Sequence, residues 1–452
     1  MNIYIIGIGE ILRFRQIQII SSFVSPVNAH PKEEGSMSMK NLISASPGGK
    51  TRKPLLIGLF VISALLVLIA GSFTFSGFMR QAPVASASTI TGVYVGAGDG
   101  TLYKLDSAQG TAIWHSQVTG RRLPAPPVVD NGIAYLNTLD GGVYALNASS
   151  GHTVWRYQTG GNIISSPVVA NNVVFVGSTD NYIYALNAQN GALLWRFDAA
   201  VGNESVAPSG LFVANGVVYG AASDQIDHSY HFAINASSGA QLWRVKVRDQ
   251  LFTGVQDVNN VLYLASSAIT HEGGPRTTDS YVYAYAAATG KQLWISSKIG
   301  DVVLSTPTVS NNVVYVGSQD TYVYALDAQT GVRLWRHRLG GPIYPSPVVA
   351  NGVLFVGVAS NPSTARPSKT SDTTTSGGSI VALDASTGNL IWQQAQIGNY
   401  AGAPLALYGH MVYAGATDNA VYALDTTTGS VVWSYQMASA NPFNNAPITV
   451  AP

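Results

Sequence analysis

An all-β chain closed into a ring of eight four-stranded sheets, an eight-bladed β-propeller behind one N-terminal transmembrane helix, is the fold class the sequence predicts. Three observations predict it. All eight tryptophans (Trp114, Trp155, Trp195, Trp243, Trp294, Trp335, Trp392 and Trp433) stand four residues after a glycine, at successive spacings of 41, 40, 48, 51, 41, 57 and 41. A period near 40 marks a repeat architecture. The stretches between turn residues are short, β-branched and apolar on both faces, as in VVYVG (313–317) and YVYAL (322–326). Such strands must be covered on both sides, and with no helical periodicity after residue 80 only other sheets can cover them. Radial stacking of four-stranded blades satisfies this, whereas a linear stack would leave its end sheets bare.

The composition agrees. About 10% of the 452 residues are charged and the net charge is +1, against about 25% charged in an average soluble domain. No basic field recruits nucleic acid. There is no cysteine, which excludes disulfides, thiolate metal sites and a lipidated N-terminal cysteine.

Taken in order, residues 1–53 carry no repeat signal and read as a cytoplasmic leader, with Met37 or Met39 as alternative starts. Residues 54–79 are 26 uncharged residues, about 39 Å as a helix, longer than the ~30 Å hydrocarbon core. Lys50, Arg52 and Lys53 precede them and Arg80 follows, which places the N-terminus in the cytoplasm and the rest outside. The segment therefore reads as a single-pass anchor. A cleaved signal, with the ASA at 85–87 as its site and a secreted product, is the alternative. Residues 80–91 form a linker, and 92–452 the propeller.

One repeat shows the strands: SPVVA (166–170), VVFVGS (173–178), YIYALN (182–187) and ALLWRF (192–197). The glycine before each tryptophan sits where a hairpin built on a type I turn needs a left-handed residue, and the Asp or Asn before it can bond its own backbone. After Trp433, NAPITV (445–450) resembles the first strand of a repeat with no later strand to pair. Residues 446–450 are therefore predicted to form the innermost strand of the first blade, which removes both free edges.

The recurring pattern Ala-x-Asp-x-x-Thr-Gly-x-x-x-Trp, as in ALDAQTGVRLW (325–335), resembles the tryptophan-docking motif of pyrroloquinoline-quinone-type (PQQ-like) propeller repeats, over about 92–450. The resemblance implies that each tryptophan packs between adjacent blades. Fold does not fix function within this superfamily. Quinoprotein alcohol dehydrogenases, to which the motif is also similar, carry a vicinal disulfide over the quinone, a Ca²⁺ site and a catalytic Asp. This chain has no cysteine and no residue that matches that Asp. Its architecture is closer to the non-enzymatic relatives, the propeller lipoprotein of outer-membrane assembly and the sensor propellers of bacterial kinases.

Three repeats are lengthened between their second and third strands, by SDQIDHSYH (223–231), SSAITHEGGPRTTDS (266–280) and ASNPSTARPSKTSDTTTSGGS (359–379). The last is Ser/Thr/Pro-rich and reads as disordered. The first two hold His228, His231, His271 and Glu272, with Asp224 and Asp227. Imidazole and carboxylate together can ligate zinc or a similar ion, although their spacing matches no metalloenzyme signature and solvated loop polars explain them as well. Glu204, Asp249 and Asp301 recur in blade connections, where oxygen ligands could hold Ca²⁺; ordinary loop acids are the plainer reading. Asp99, Asp140, Asp180, Asp320 and Asp418 recur in regular blades and read as turn-stabilising.

The sequence thus predicts a membrane-anchored, extracytoplasmic binding or scaffold module, with no cofactor, whose protein or envelope ligand sits on the insert-bearing rim. A PQQ- and Ca²⁺-dependent oxidoreductase is the alternative. A third reading is an envelope sensor with a separate signalling partner.

Overall fold

The computed structural model describes residues 92–119, 121–200, 207–223, 229–247, 250–251, 254, 256–269, 278–360, 378–398, 403–416, 418–438 and 447–451. The chain divides into Met1–Met79 and Arg80–Pro452, and every described residue lies in the second unit. The leader, the expected anchor at 54–79 and the linker lie outside the described residues. Among the described residues no helix is long and apolar enough to cross a membrane.

The second unit is an eight-bladed propeller. Its strands form eight antiparallel sheets, each in meander order from an inner strand to an outer one that carries the tryptophan. Blades are numbered here by their tryptophans, from blade 1 (Trp114) to blade 8 (Trp433). Blade 3 is typical: Val168–Ala170, Val173–Gly177, Tyr182–Asn187 and Leu193–Asp198. Its first turn, Asn171-Asn172, has φ of 49° and 62°, the left-handed pair that suits a two-residue hairpin. Inner strands touch in succession around the axis, from Ile448–Ala451 through Val128–Asp130 and on to Ala406–Tyr408, which touches Ile448–Ala451 again.

The ring closes as expected. Ile448–Ala451 is the inner strand of blade 1 and pairs Gly92↔Ala451, Val93↔Val450, Tyr94↔Thr449 and Val95↔Ile448. Blade 5 departs from the four-strand plan. Its inner strand is split into Gln250–Leu251 and Gln256–Val258, both paired with Val261–Ile269.

The core is distributed. Eight clusters of buried side chains lie one to a seam between neighbouring blades, so each sheet is covered on both faces by its neighbours. Second and third strands are buried almost throughout, while outer strands alternate toward solvent.

The tryptophans fasten the seams. Each docking glycine has φ between 68° and 74°, and a side chain there would collide with the preceding blade's indole, as Gly191 would with Trp155 at 2.7 Å. Seven indole N–H groups donate to a carbonyl in the next blade's docking turn, among them Trp155 to Ala188 at 2.8 Å and Trp433 to Ser107, across the closure, at 3.1 Å. The eighth, Trp335 Nε1, is buried without a partner. Within the turns Asp or Asn accepts from the next backbone N–H groups, as Asp327 does from Gln329 and Thr330 at 3.1 and 2.8 Å. Hydrogen bonds from Ser386, Thr387 and the turn backbone hold the exposed Asp384 carboxyl down at about 2.

Candidate binding rim

A meander fixes which turns share a rim. Docking turns and the first Asn-rich turns lie on one rim; the second-to-third-strand hairpins and the blade connections lie on the other. On that second rim Asp180 Oδ1 accepts from the Tyr182 N–H at 3.1 Å, and its Oδ2 accepts from the Tyr184 hydroxyl at 2.7 Å and the Gly160 N–H at 2.7 Å. Asp418 repeats the arrangement with Ala420 and Tyr422, and Asp320 with Tyr322 and Tyr324. Asp99 accepts from the Thr101 N–H, and Asp140 from the Thr138 hydroxyl. All five brace their own hairpins, and Asp180 also fastens its hairpin to the blade connection at Gly160. Burial, and after it the bond to Asp180, pushes the Tyr184 phenol up to about 12.

The rim is irregular where the inserts fall. In blade 4 the hairpin strands lengthen to Val217–Ser223 and Ser229–Asn235, and in blade 5 to Val261–Ile269 and Thr278–Ala286. Part of the surplus length is therefore paired sheet rather than loop. His231, placed in the insert by its spacing, stands inside the third strand of blade 4, opposite Ala221 and Val245. It is 2% exposed. His228, His271, Glu272, Asp224, Asp227, Glu204 and Asp249 lie outside the described residues, as does the body of the third insert. Asp301 is half-buried and its Oδ1 accepts from the Val302 N–H at 2.7 Å.

Sequence reasoning missed Arg244, which stitches blade 4 to the blade 3 connection. Its Nη1 donates to Ala200 O at 3.2 Å and its Nη2 to Ala199 O at 3.3 Å, beneath the ring of Phe197. Burial lowers its pKa. Missed as well was Lys104, 5% exposed, whose Nζ donates to Ala148 O at 3.0 Å across the first seam.

Among the described residues the donor set does not fit a quinone with its Ca²⁺. The chain has no cysteine to form the disulfide. The inner strands that line the axis hold two charged residues, Asp130 and Asp257, among the described residues. Among the described residues no three His, Asp or Glu side chains come together as a metal site would need.

A family model described as outer membrane protein assembly factor BamB matches residues 98–266, 278–370 and 358–451. No curated protein sequence matches the chain significantly. Among solved structures, BamB from Moraxella catarrhalis is 18% identical with a TM-score of 0.54, over 77% of this chain and 92% of that one. The computationally designed Ika8 protein is 15% identical with a TM-score of 0.54, over 73% and 96%. Quinohemoprotein alcohol dehydrogenase from Comamonas testosteroni is 15% identical with a TM-score of 0.55, over 70% and 67%. At such identities the structural likenesses establish the propeller fold.

Proposed function

Because the chain belongs to the family described as outer membrane protein assembly factor BamB, we propose that it is a binding or scaffold propeller. The observation that carries this reading is where the irregularity falls. Seven of eight docking tryptophans make the same inter-blade bond, while the surplus length collects in the second-to-third-strand hairpins of blades 4, 5 and 7. Variable length on one rim of a rigid frame is how scaffolds carry binding surfaces. In the same proposal residues 54–79 anchor the chain and the propeller stands outside the membrane.

Site-specific photo-crosslinking in cells tests it. A photoreactive residue in place of Gln225 or Gly274 should trap a discrete partner, and one in place of Ala108, on the opposite rim, should not. Trapping from Ala108 alone would move the surface to the docking-turn rim. Shortening must be confined to 224–228 and 270–277, because Ser229–His231 and Thr278 belong to strands. Alkaline extraction should leave the full chain in the membrane pellet; release into the supernatant would favour the secreted form. Alcohol-dependent dye reduction after loading with the quinone and Ca²⁺ would overturn the binding reading.

A further inference from the structure

The seam between blades 4 and 5 breaks the repeat at three facing positions. The site of His231 is aliphatic in the seven other blades, from Leu102 and Val143 to Val421. Tyr285 stands where the others have Leu or Ile, and Asp257 where they have Val or Leu. Register puts all three on the two faces that meet in this seam. His231 shares its face with Ala221 and Ala233, which pack toward blade 5, and Tyr285 pairs with Leu262, which pairs with Asp257, on the face toward blade 4.

The histidine and tyrosine are matched. Their ring centroids lie 5.0 Å apart with planes 32° from parallel, and Tyr283 stacks on Tyr285 at 6.0 Å. His231 Nε2 is buried with no hydrogen-bond partner, and so is Asp257 Oδ1. A neutral imidazole tolerates that place; an imidazolium does not, since the attraction of a tyrosine face is smaller than the cost of stripping water from a charge.

We propose that this seam is a proton-operated latch, shut while His231 is neutral and loosened when it takes up a proton, so that the lengthened hairpins of blades 4 and 5 part and release what the rim holds. The release step rests on the binding role proposed above; the loosening of the seam does not.

Burial pushes the His231 imidazole down from 6.5 to about 3. Above pH 6.5 the group is neutral whether the seam is open or shut, and the seam has its full stability. Between 6.5 and about 3 only the open seam binds the proton, so stability is lost as pH falls, by about tenfold in the opening equilibrium for each pH unit. The other groups facing His231 leave this direction intact. Tyr219, Tyr281, Tyr283 and Tyr285 line the same seam, burial pushing the Tyr219 phenol up, and the second strand of blade 5 presents Leu262 and Leu264. Arg244 reaches away toward blade 3, and Lys246 shares its face by register. The Asp257 carboxyl, pushed up by burial, acts in the opposite sense, because protonation relieves its buried charge. That contribution is common to wild type and the variants below and cancels between them.

Amide hydrogen exchange of the full chain, with no partner present, tests the latch. Wild type is compared at matched pH with His231→Val and with His231→Val/Tyr285→Leu, which restore the repeat. Between about pH 7 and about pH 5, exchange in 229–235 and 278–286 should accelerate in wild type relative to either variant, approaching tenfold per unit below 6.5. Strand 142–147 of blade 2 should show no difference. Equal exchange in wild type and variants at every pH would overturn the latch. Should both variants misfold, imidazole NMR of wild type decides: a ring titrating near 6.5 in the folded chain refutes it, and one still neutral near pH 5 supports it.

Discussion

Trp155 and Trp335 fill the same place in two seams, but only Trp155 has its N–H bonded, to Ala188 at 2.8 Å. Phenylalanine keeps a ring and removes the donor. Trp155→Phe should therefore cost about 1 kcal/mol and Trp335→Phe distinctly less, read by denaturant melts; equal losses would show that ring size decides. Trp155→Ala should cost about 3–5 kcal/mol, because the indole is buried. Lys104 gives a second residue-scale prediction. Ala148 O accepts from Lys104, Tyr94 and Trp114 at 3.0, 3.2 and 3.2 Å, so losing the lysine does not orphan it. Burial holds the Lys104 pKa below its ordinary 10.5. The unfolded chain then keeps the proton longer, and stability rises with pH from that lowered value up to 10.5. Lys104→Met should melt at or above wild type near pH 7 and lose its advantage as pH approaches 10. A deficit at neutral pH would show that the bond to Ala148 outweighs the buried charge.

Hairpins and closing strands carry the next set of consequences. Removing 447–452 strips the inner strand from Gly92–Gly96 and should lower the melting temperature by more than about 5 °C, whereas unchanged melting would mean the edge is covered otherwise. Replacing 224–228 and 270–277 with two-residue turns should leave melting within a few degrees, since no described strand is cut. At this scale the sequence was most readable. Glycine-tryptophan spacing marks each docking turn because φ near 70° and contact with an indole together admit no other residue. Closure was readable because NAPITV repeats an inner strand without followers. Spacing alone puts His231 in a loop, because the length of a hairpin is set by pairing, here out to Ser223↔Ser229, and period-2 apolar alternation does not show where pairing stops. Its match with Tyr285, 54 positions away in the next blade, depends on register between sheets, which no local pattern encodes. Asp257 was hidden for the same reason.

Across the whole molecule stability resides in eight similar seams rather than one centre, so the ring has no privileged starting point. Ala451 faces Gly92 as Asp130 faces Ile133, and the latter pair is joined by Asn131-Gly132. An Asn-Gly bridge from Ala451 to Gly92, with new ends opened between Asn311 and Asn312, should give a folded permutant that melts within a few degrees of the natural order. Failure to fold would show that blade 1 must be the blade closed from two ends. That closure also has a cost in time. Gly92–Gly96 emerges from the ribosome roughly 355 residues before its partner, about 20–70 s at ~5–20 residues per second. Throughout that interval an apolar strand offers unpaired backbone to any neighbouring chain, the condition under which nascent β proteins aggregate. A chaperone that covers the first repeat should therefore raise yield more than one that acts after release, and a premature stop anywhere before Ile448 leaves a product whose first blade can never be sealed.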